Sequence, residues 1–241
     1  MIIKGGPNTY GIPIGVLSSE SYYYKMPGHI KNATTFDFPI TYKVIKGATS
    51  KVIVKEKGGP LLNLYIEGAK ELEKEGVKAI TGSCGFLVVF QDQLTSAVNI
   101  PVFISSLLQI PLAHKMIGKD KKVGVLVANK EALTNDHLKA VSAENVPICV
   151  AGMDGKKEFN EVIIEKQRLD LDVTKLEEEV LDVMKELYNN NPTMGALVIE
   201  CTDLPPFSYK IQQLIKKPVF DLVTLTKLAY NSVMQKEMPI F

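Results

Sequence analysis

The sequence contains few cysteines and few histidines, which excludes two kinds of site. Its 241 residues include three of each, with no Cys-x-x-Cys pair. So few cysteines do not form the disulfide framework of a small secreted protein. The histidines, at positions 29, 114 and 137, lack a spacing typical of metal ligands. We therefore expect no structural disulfide and no metal site.

An excess of charge of one sign and long hydrophobic runs are missing as well. The chain has 28 basic and 27 acidic residues, which gives no electrostatic reason to bind nucleic acid or an anionic membrane. No apolar run approaches the ~20 residues that span a bilayer. Glycine, proline and asparagine at positions 5–8 interrupt any signal-peptide pattern. We therefore expect a cytoplasmic protein without nucleic-acid or membrane partners.

Motifs of several large enzyme classes are also missing. Neither Gly-x-Gly-x-x-Gly nor Gly-x-x-x-x-Gly-Lys-Ser/Thr occurs, so nucleotide binding has no motif support. The Gly-x-Ser-x-Gly turn of serine hydrolases is missing too. These absences leave the three cysteines as the residues whose positions need an explanation.

The sequence contains one internal repeat, which places two of these cysteines at equivalent positions. An apolar run ends at Cys84, and Pro-Val-Phe follows at 101–103. A second apolar run ends at Cys201, and Pro-Val-Phe follows at 218–220. One offset of 117 residues superposes both features, so we predict two related half-domains. Each presents one thiol at the carboxyl end of a strand.

Apolar runs alternate with amphipathic segments along the chain, which predicts a parallel α/β architecture with right-handed crossovers. Strands are predicted at 12–17, 40–45, 51–54, 77–81, 102–104, 122–127, 147–150, 195–200 and 218–221. Helices are predicted at 60–76, 86–98, 107–117, 135–142, 173–189, 205–215 and 222–235.

A polar break at 118–122 suggests the boundary between the two lobes. We predict a first lobe at 1–117, completed by 209–241, and a second lobe at 118–208. The two parallel-sheet lobes would be similar and related by pseudo-twofold symmetry. Ligands of such sheets bind beyond the carboxyl ends of the strands, so the active site is expected in the cleft between the lobes.

The surroundings of Cys84 and Cys201 favour a functional role over burial as small hydrophobic residues. Cys84 lies in a Gly-Ser-Cys-Gly turn before a predicted helix. Backbone N–H groups and the helix dipole there should lower a thiol pKa toward neutrality. Cys201 has the same placement. Cys149 lies in the middle of an apolar strand, so we expect a core residue there.

The segment 22–50 is long, rich in aromatic and turn residues, and without a helical period. Segments of this kind are more often functional than accidental. Two interpretations remain open. The segment is a lid over the cleft, or a meander at the sheet edge whose rings pack on the core.

At the two cysteine motifs, the sequence resembles the cofactor-independent aspartate/glutamate racemase superfamily. The resemblance rests on Ser-Cys-Gly at 83–85, Glu-Cys-Thr at 200–202 and the duplicated strands, and it covers nearly the whole chain. It implies that Cys84 and Cys201 face each other across a small-molecule carboxylate substrate, with no cofactor, in a homodimer. Glutamate racemases have Asn-Thr at 85–86 and histidine at 203, whereas this chain has Gly-Phe and aspartate. The substrate of glutamate racemases therefore cannot be assigned to this chain.

We predict a racemase or epimerase of an amino acid or derivative, in which one thiolate removes the α-proton and the opposite thiol returns one. A maleate-type cis–trans isomerase of the same fold and a non-catalytic small-molecule binder are the alternatives. Backbone N–H groups at 83–86 and 202–203 would hold the substrate carboxylate. The predicted substrate-binding residues are Ser18, Ser19, Ser83, Gly85, Phe86, Asn129, Thr134, Thr202 and Asp203.

The two thiols are also expected to differ in charge. Cys84 has no acidic residue within five positions, whereas Glu200 and Asp203 flank Cys201. A nearby carboxylate raises a thiol pKa, so Cys84 should carry the thiolate and Cys201 the proton. Alternation along the strand suggests that Glu200 points away from Cys201, so this expectation depends mainly on Asp203.

Overall fold

The computed structural model describes residues 2–50, 52–53 and 61–237. Their strands form two four-stranded, all-parallel sheets flanked by helices, so the predicted α/β fold class is confirmed. The strands are β1 Ile14–Ser18, β2 Ile40–Val44, β3 Ala79–Gly82, β4 Val102–Phe103, β5 Lys122–Val127, β6 Ile148–Gly152, β7 Met194–Ile199 and β8 Val219–Phe220.

The helices connect these strands as the sequence pattern predicts. They are α1 Leu62–Glu75, α2 Gln91–Ala97, α3 Ile110–Ile117, α4 Asn135–Ala140, α5 Lys157–Phe159, α6 Val173–Asn190, α7 Ser208–Ile215 and α8 Leu222–Val233. Short 3-10 helices occur at Ala33–Thr35, Gly85–Phe90, Ser106–Gln109 and Pro205–Phe207, and a π-helix at Asn160–Ile164. Within the described part of the chain, no helix has both the length and the apolar character needed to cross a bilayer.

Both sheets have the same strand order, β2-β1-β3-β4 in the first and β6-β5-β7-β8 in the second. The predicted duplication is therefore present in the topology. β1 and β7 are buried along their whole length, because strands at the centre of a parallel sheet are covered on both faces. Cys84 follows the end of β3 by two residues, and Cys201 follows the end of β7 by two residues.

The last part of the chain packs against both sheets. β8 pairs with β7 in the second sheet. Leu222 and Leu225 of α8 instead pack on the first sheet, in a core cluster that includes Ile14 of β1 and Phe103 of β4. A second, larger core cluster runs continuously through residues of both sheets.

Several predicted elements differ from the structure. The predicted helix at 86–98 consists of the 3-10 helix Gly85–Phe90, which is almost entirely buried, followed by α2. The unassigned stretch 152–171 contains α5, which continues into the π-helix. Most of the predicted strand at 51–54, and the start of the predicted helix at 60–76, lie outside the described residues.

Candidate active site

A small, partly enclosed cavity lies at the carboxyl ends of the central strands of both sheets. Residues from both halves of the chain contribute to its wall. They are Ser19, Ser21, Tyr23, His29, Lys31, Ser50, Ile53, Ser83, Cys84, Gly85, Ala128, Ile163, Ile164, Glu200, Cys201, Thr202 and Asp203. Thr202 connects the two halves, because its hydroxyl donates a 2.7 Å hydrogen bond to the carbonyl of Ser83.

The structure brings together most of the residues predicted for the site. Both predicted catalytic cysteines line the cavity, together with Ser19, Ser83, Gly85, Thr202 and Asp203. Ser18, Phe86, Asn129 and Thr134 are not part of the lining. Ser18 bonds the carbonyl of Ser19, Phe86 packs edge-on against His137, Asn129 accepts from the backbone of Ala132, and Thr134 caps α4.

Cys84 does not have the lowered pKa expected from its position before a helix. The backbone N–H groups of Phe86 and Leu87 do interact with its sulfur and favour a thiolate. Burial outweighs them and raises the pKa of the Cys84 thiol far above its ordinary value. Glu200 raises it further in its ionised form. The expected lowering of the Cys84 pKa by the helix end is therefore wrong.

Cys201 also retains its proton. Burial raises the pKa of its thiol well above the usual range, and the charges of Asp203 and Glu200 raise it further. Its Sγ lies 3.7 Å from Oδ2 of Asp203, to which the thiol donates a hydrogen bond. The carboxylate therefore keeps the proton on Cys201, as the sequence predicts.

The side chain of Glu200 lines the same cavity as both thiols and acts on each of them electrostatically. It accepts a 3.2 Å hydrogen bond from the backbone of Ala128 and also interacts with the N–H groups of Phe86 and Gly85. These two N–H groups were predicted to hold the substrate carboxylate. Burial nevertheless raises the pKa of Glu200 to about 8, so the group is mostly neutral at pH 7.

Gly85 is required by this arrangement. A Cβ atom at position 85 would lie 2.6 Å from both the carbonyl oxygen and Oε1 of Glu200. Any larger residue would force Glu200 or the turn that carries Cys84 to move. The glycine thus allows the close approach of β7 to the turn that carries Cys84.

Asp203 organises a buried polar cluster. It accepts a 2.5 Å hydrogen bond from the hydroxyl of Tyr23, and its Oδ1 lies 3.0 Å from Nε2 of His29. Burial alone would raise the pKa of Asp203, but the bonds from His29 and Tyr23 hold it below its usual range. Burial lowers the pKa of His29, so a neutral histidine bonds an ionised aspartate.

The segment 22–50 contributes both to this cluster and to the core. Tyr23, His29 and Lys31 line the cavity, whereas Phe38 stacks on Tyr230 of α8 with ring centroids 3.8 Å apart. The aromatic composition pointed to the segment, but no motif indicated His29 or Lys31. His29 reaches Asp203 from a distant part of the chain. The lid function stays a prediction.

The two thiols are expected to react with a small haloacetamide in a fixed order. Both should be nearly unreactive at pH 7, because both pKa values are raised. Cys84 should react at lower pH than Cys201, since two backbone N–H groups favour its thiolate. Mass spectrometry of adducts formed between pH 6 and 10 measures this order. In Asp203→Asn, the two thiols should react over more similar pH ranges. An unchanged separation between their pH profiles would show that Asp203 does not cause the difference in reactivity.

No protein-family model matches the chain, but its sequence is similar to characterised enzymes. Over 224 residues it is 30% identical to a dimethylsulfoniopropionate lyase from Durusdinium sp. clade D, covering 90% of this chain and 73% of that protein. The chain belongs to the dimethylsulfoniopropionate lyase family. Dimethylsulfoniopropionate lyase 3 of Emiliania huxleyi is 27% identical, with 92% of this chain and 60% of that protein covered. The chain is thus shorter than these two relatives of the family.

Solved structures share the fold of this chain. Unliganded arylmalonate decarboxylase superposes with a TM-score of 0.60 at 11% identity, covering 94% of both chains. Aspartate racemase from Picrophilus torridus gives 0.58 at 15% identity, covering 92% of this chain and 94% of that one. Glutamate racemase from Bacillus anthracis gives 0.56 at 15%, covering 92% and 82%. The predicted fold of the aspartate/glutamate racemase superfamily is therefore confirmed, whereas the predicted racemase activity is not.

Proposed function

We propose that this chain is a lyase that removes an α-proton from a carboxylate carrying a sulfonium group on its β-carbon. Dimethylsulfoniopropionate, named for its relatives, fits this description. Its cleavage would yield dimethyl sulfide and acrylate. The observation that carries the proposal is the buried cavity with two thiols, in a chain 30% identical to such a lyase over 90% of its length.

The proposed reaction is an elimination with a simple balance of atoms and electrons. A cysteine thiolate takes the proton from the α-carbon, and the electron pair of that C–H bond forms the new carbon–carbon double bond. The bond between the β-carbon and sulfur breaks, and its electron pair leaves with neutral dimethyl sulfide. The proton remains on the cysteine, and its later loss to solvent restores the thiolate. No cofactor takes part in these steps.

The positive charge of the proposed substrate explains how a cysteine thiol could lose its proton in a cavity that disfavours thiolates. Burial keeps both thiols protonated at neutral pH. A sulfonium cation beside them supplies positive charge in a low-dielectric site, which favours the thiolate and lowers its pKa. Cys84 is the better base, since two backbone N–H groups support its thiolate. Cys201 keeps its proton in this proposal, because its thiol donates a hydrogen bond to the carboxylate of Asp203.

Racemisation is the second candidate, and it is favoured by one specific observation. Cys84 and Cys201 come from equivalent positions of the two half-domains and line the same cavity. A thiolate and a thiol on different walls fit the removal and return of an α-proton. The same first step, abstraction of the α-proton by Cys84, would serve both reactions.

Incubation of the protein with dimethylsulfoniopropionate should release dimethyl sulfide and acrylate in equal amounts, since elimination produces one of each. Gas chromatography measures the sulfide, and liquid chromatography measures the acrylate. A parallel screen of D- and L-amino acids in deuterated water tests racemisation through deuterium incorporation at the α-carbon. Deuterated amino acids without any release of dimethyl sulfide would overturn the lyase proposal in favour of the racemase.

A further inference from the structure

One lysine, Lys31, lies in the wall of the cavity. Lys25 and Lys166 lie close enough to Lys31 to interact with it electrostatically. Lys25 and Lys31 belong to the segment 22–50, whereas Lys166 follows the π-helix. Lys31 therefore has two further lysines near it, although the chain as a whole is nearly neutral.

Lys31 is held in place with one donor to spare. Its Nζ donates 2.7 Å hydrogen bonds to the carbonyl of Ser19 and to the hydroxyl of Ser21. A lysine ammonium has three N–H donors, so one remains for another acceptor. Lys25 lies 3.2 Å above the ring of Tyr23 and bonds its carbonyl, and Lys166 bonds the carbonyl of Glu20.

The three lysines lack direct carboxylate partners within the part of the chain that the structure describes. Asp203 and Glu20 act on Lys31 only through longer-range electrostatics. Asp203 is already bonded to Tyr23 and His29. Burial, together with Lys166, lowers the pKa of Lys31 to about 8. A partly buried cation of this kind is stabilised by an anion that binds next to it.

We propose that Lys31 binds the carboxylate of the substrate and fixes its direction in the cavity. This inference rests on the proposed function, because it identifies the cation that receives the carboxylate of that substrate. With the carboxylate at Lys31, the sulfonium end would lie toward Glu200 and the thiols. Lys31 would then favour cationic molecules that also carry a carboxylate over those of similar size without one. The acidic residues of the lining, Glu200 and Asp203, would favour the cation.

Two unreactive probes test this assignment separately from turnover. Propionate carries the carboxylate without the sulfonium, and the trimethylsulfonium ion carries the cation without the carboxylate. Isothermal titration calorimetry at pH 7 should show that Lys31→Gln weakens propionate binding by at least about tenfold, the loss expected for one hydrogen bond to a charged group. Binding of trimethylsulfonium should change less than about twofold. Lys31→Arg should restore most of the propionate affinity.

Lys43→Gln is the matched control, because Lys43 lies on β2 and pairs with Glu71 at the surface. It should bind both probes like the parent protein. Equal losses for both probes in Lys31→Gln would assign Lys31 a structural role, and unchanged propionate binding would also overturn the inference. A parent protein that binds propionate through Lys31 but releases no dimethyl sulfide would retain this inference and overturn the lyase proposal.

Discussion

Cys84→Ser is expected to lower turnover by about 10²–10⁴-fold, the usual contribution of a positioned acid or base. Serine has nearly the size of cysteine, but its hydroxyl is a far weaker acid and forms no useful base in a cavity that already disfavours negative charge. Steady-state release of dimethyl sulfide measures the effect. Circular dichroism and thermal unfolding should show that the variant remains folded.

The matched variants separate the two candidate reactions. Cys201→Ser should reduce the rate of elimination by a smaller factor than Cys84→Ser, because elimination needs only one base. The rate of racemisation, which needs both thiols, would fall by similar factors in the two variants. Cys149→Ser should retain full turnover, since Cys149 lies within β6 and outside the cavity lining. Full activity of Cys84→Ser, with intact fold, would contradict any mechanism in which this thiol removes the α-proton.

Glu200→Gln is expected to change how the free energy of unfolding depends on pH. The folded-state pKa of Glu200 is about 8, raised from an ordinary value of 4.5. The folded protein therefore binds more protons than the unfolded chain between these values. The stability associated with Glu200 is fully present below pH 4.5 and is lost as pH rises through about 8. A shift of this size corresponds to a loss on the order of a few kcal/mol.

Guanidinium unfolding at pH 5, 6.5 and 8.5 measures this effect. The parent protein should lose stability relative to Glu200→Gln as the pH rises, because glutamine stays neutral and can still accept the backbone hydrogen bonds. The titration of His29, Lys25 and Lys31 affects the free energy of unfolding of both proteins, so it cancels in the difference between them. Glu178→Gln, at an exposed position of α6, is the control and should follow the parent. Parallel curves for Glu200→Gln and the parent would show that Glu200 is ionised throughout.

The internal repeat illustrates what could be predicted before the structure. Each half contains apolar runs of strand length separated by amphipathic segments, and few topologies connect parallel strands in that order. The offset of 117 residues then placed Cys84 and Cys201 at equivalent strand ends. Because parallel strands present their carboxyl ends at one edge, a shared cavity could be expected from local pattern alone.

The electrostatics of the cavity illustrate what could not be predicted. Asp203 meets Tyr23 and His29 across sequence separations of 180 and 174 residues, so no local pattern signals the cluster. Glu200 packs directly against Gly85, where no larger residue would leave room for it.

The sequence by itself determined the fold class, the duplication and the two thiol positions, since these follow from periodicity and chain connection. Only the tertiary structure decided the charge state of the thiols. A pKa depends on how much water and which charges surround a group, and distant segments provide both.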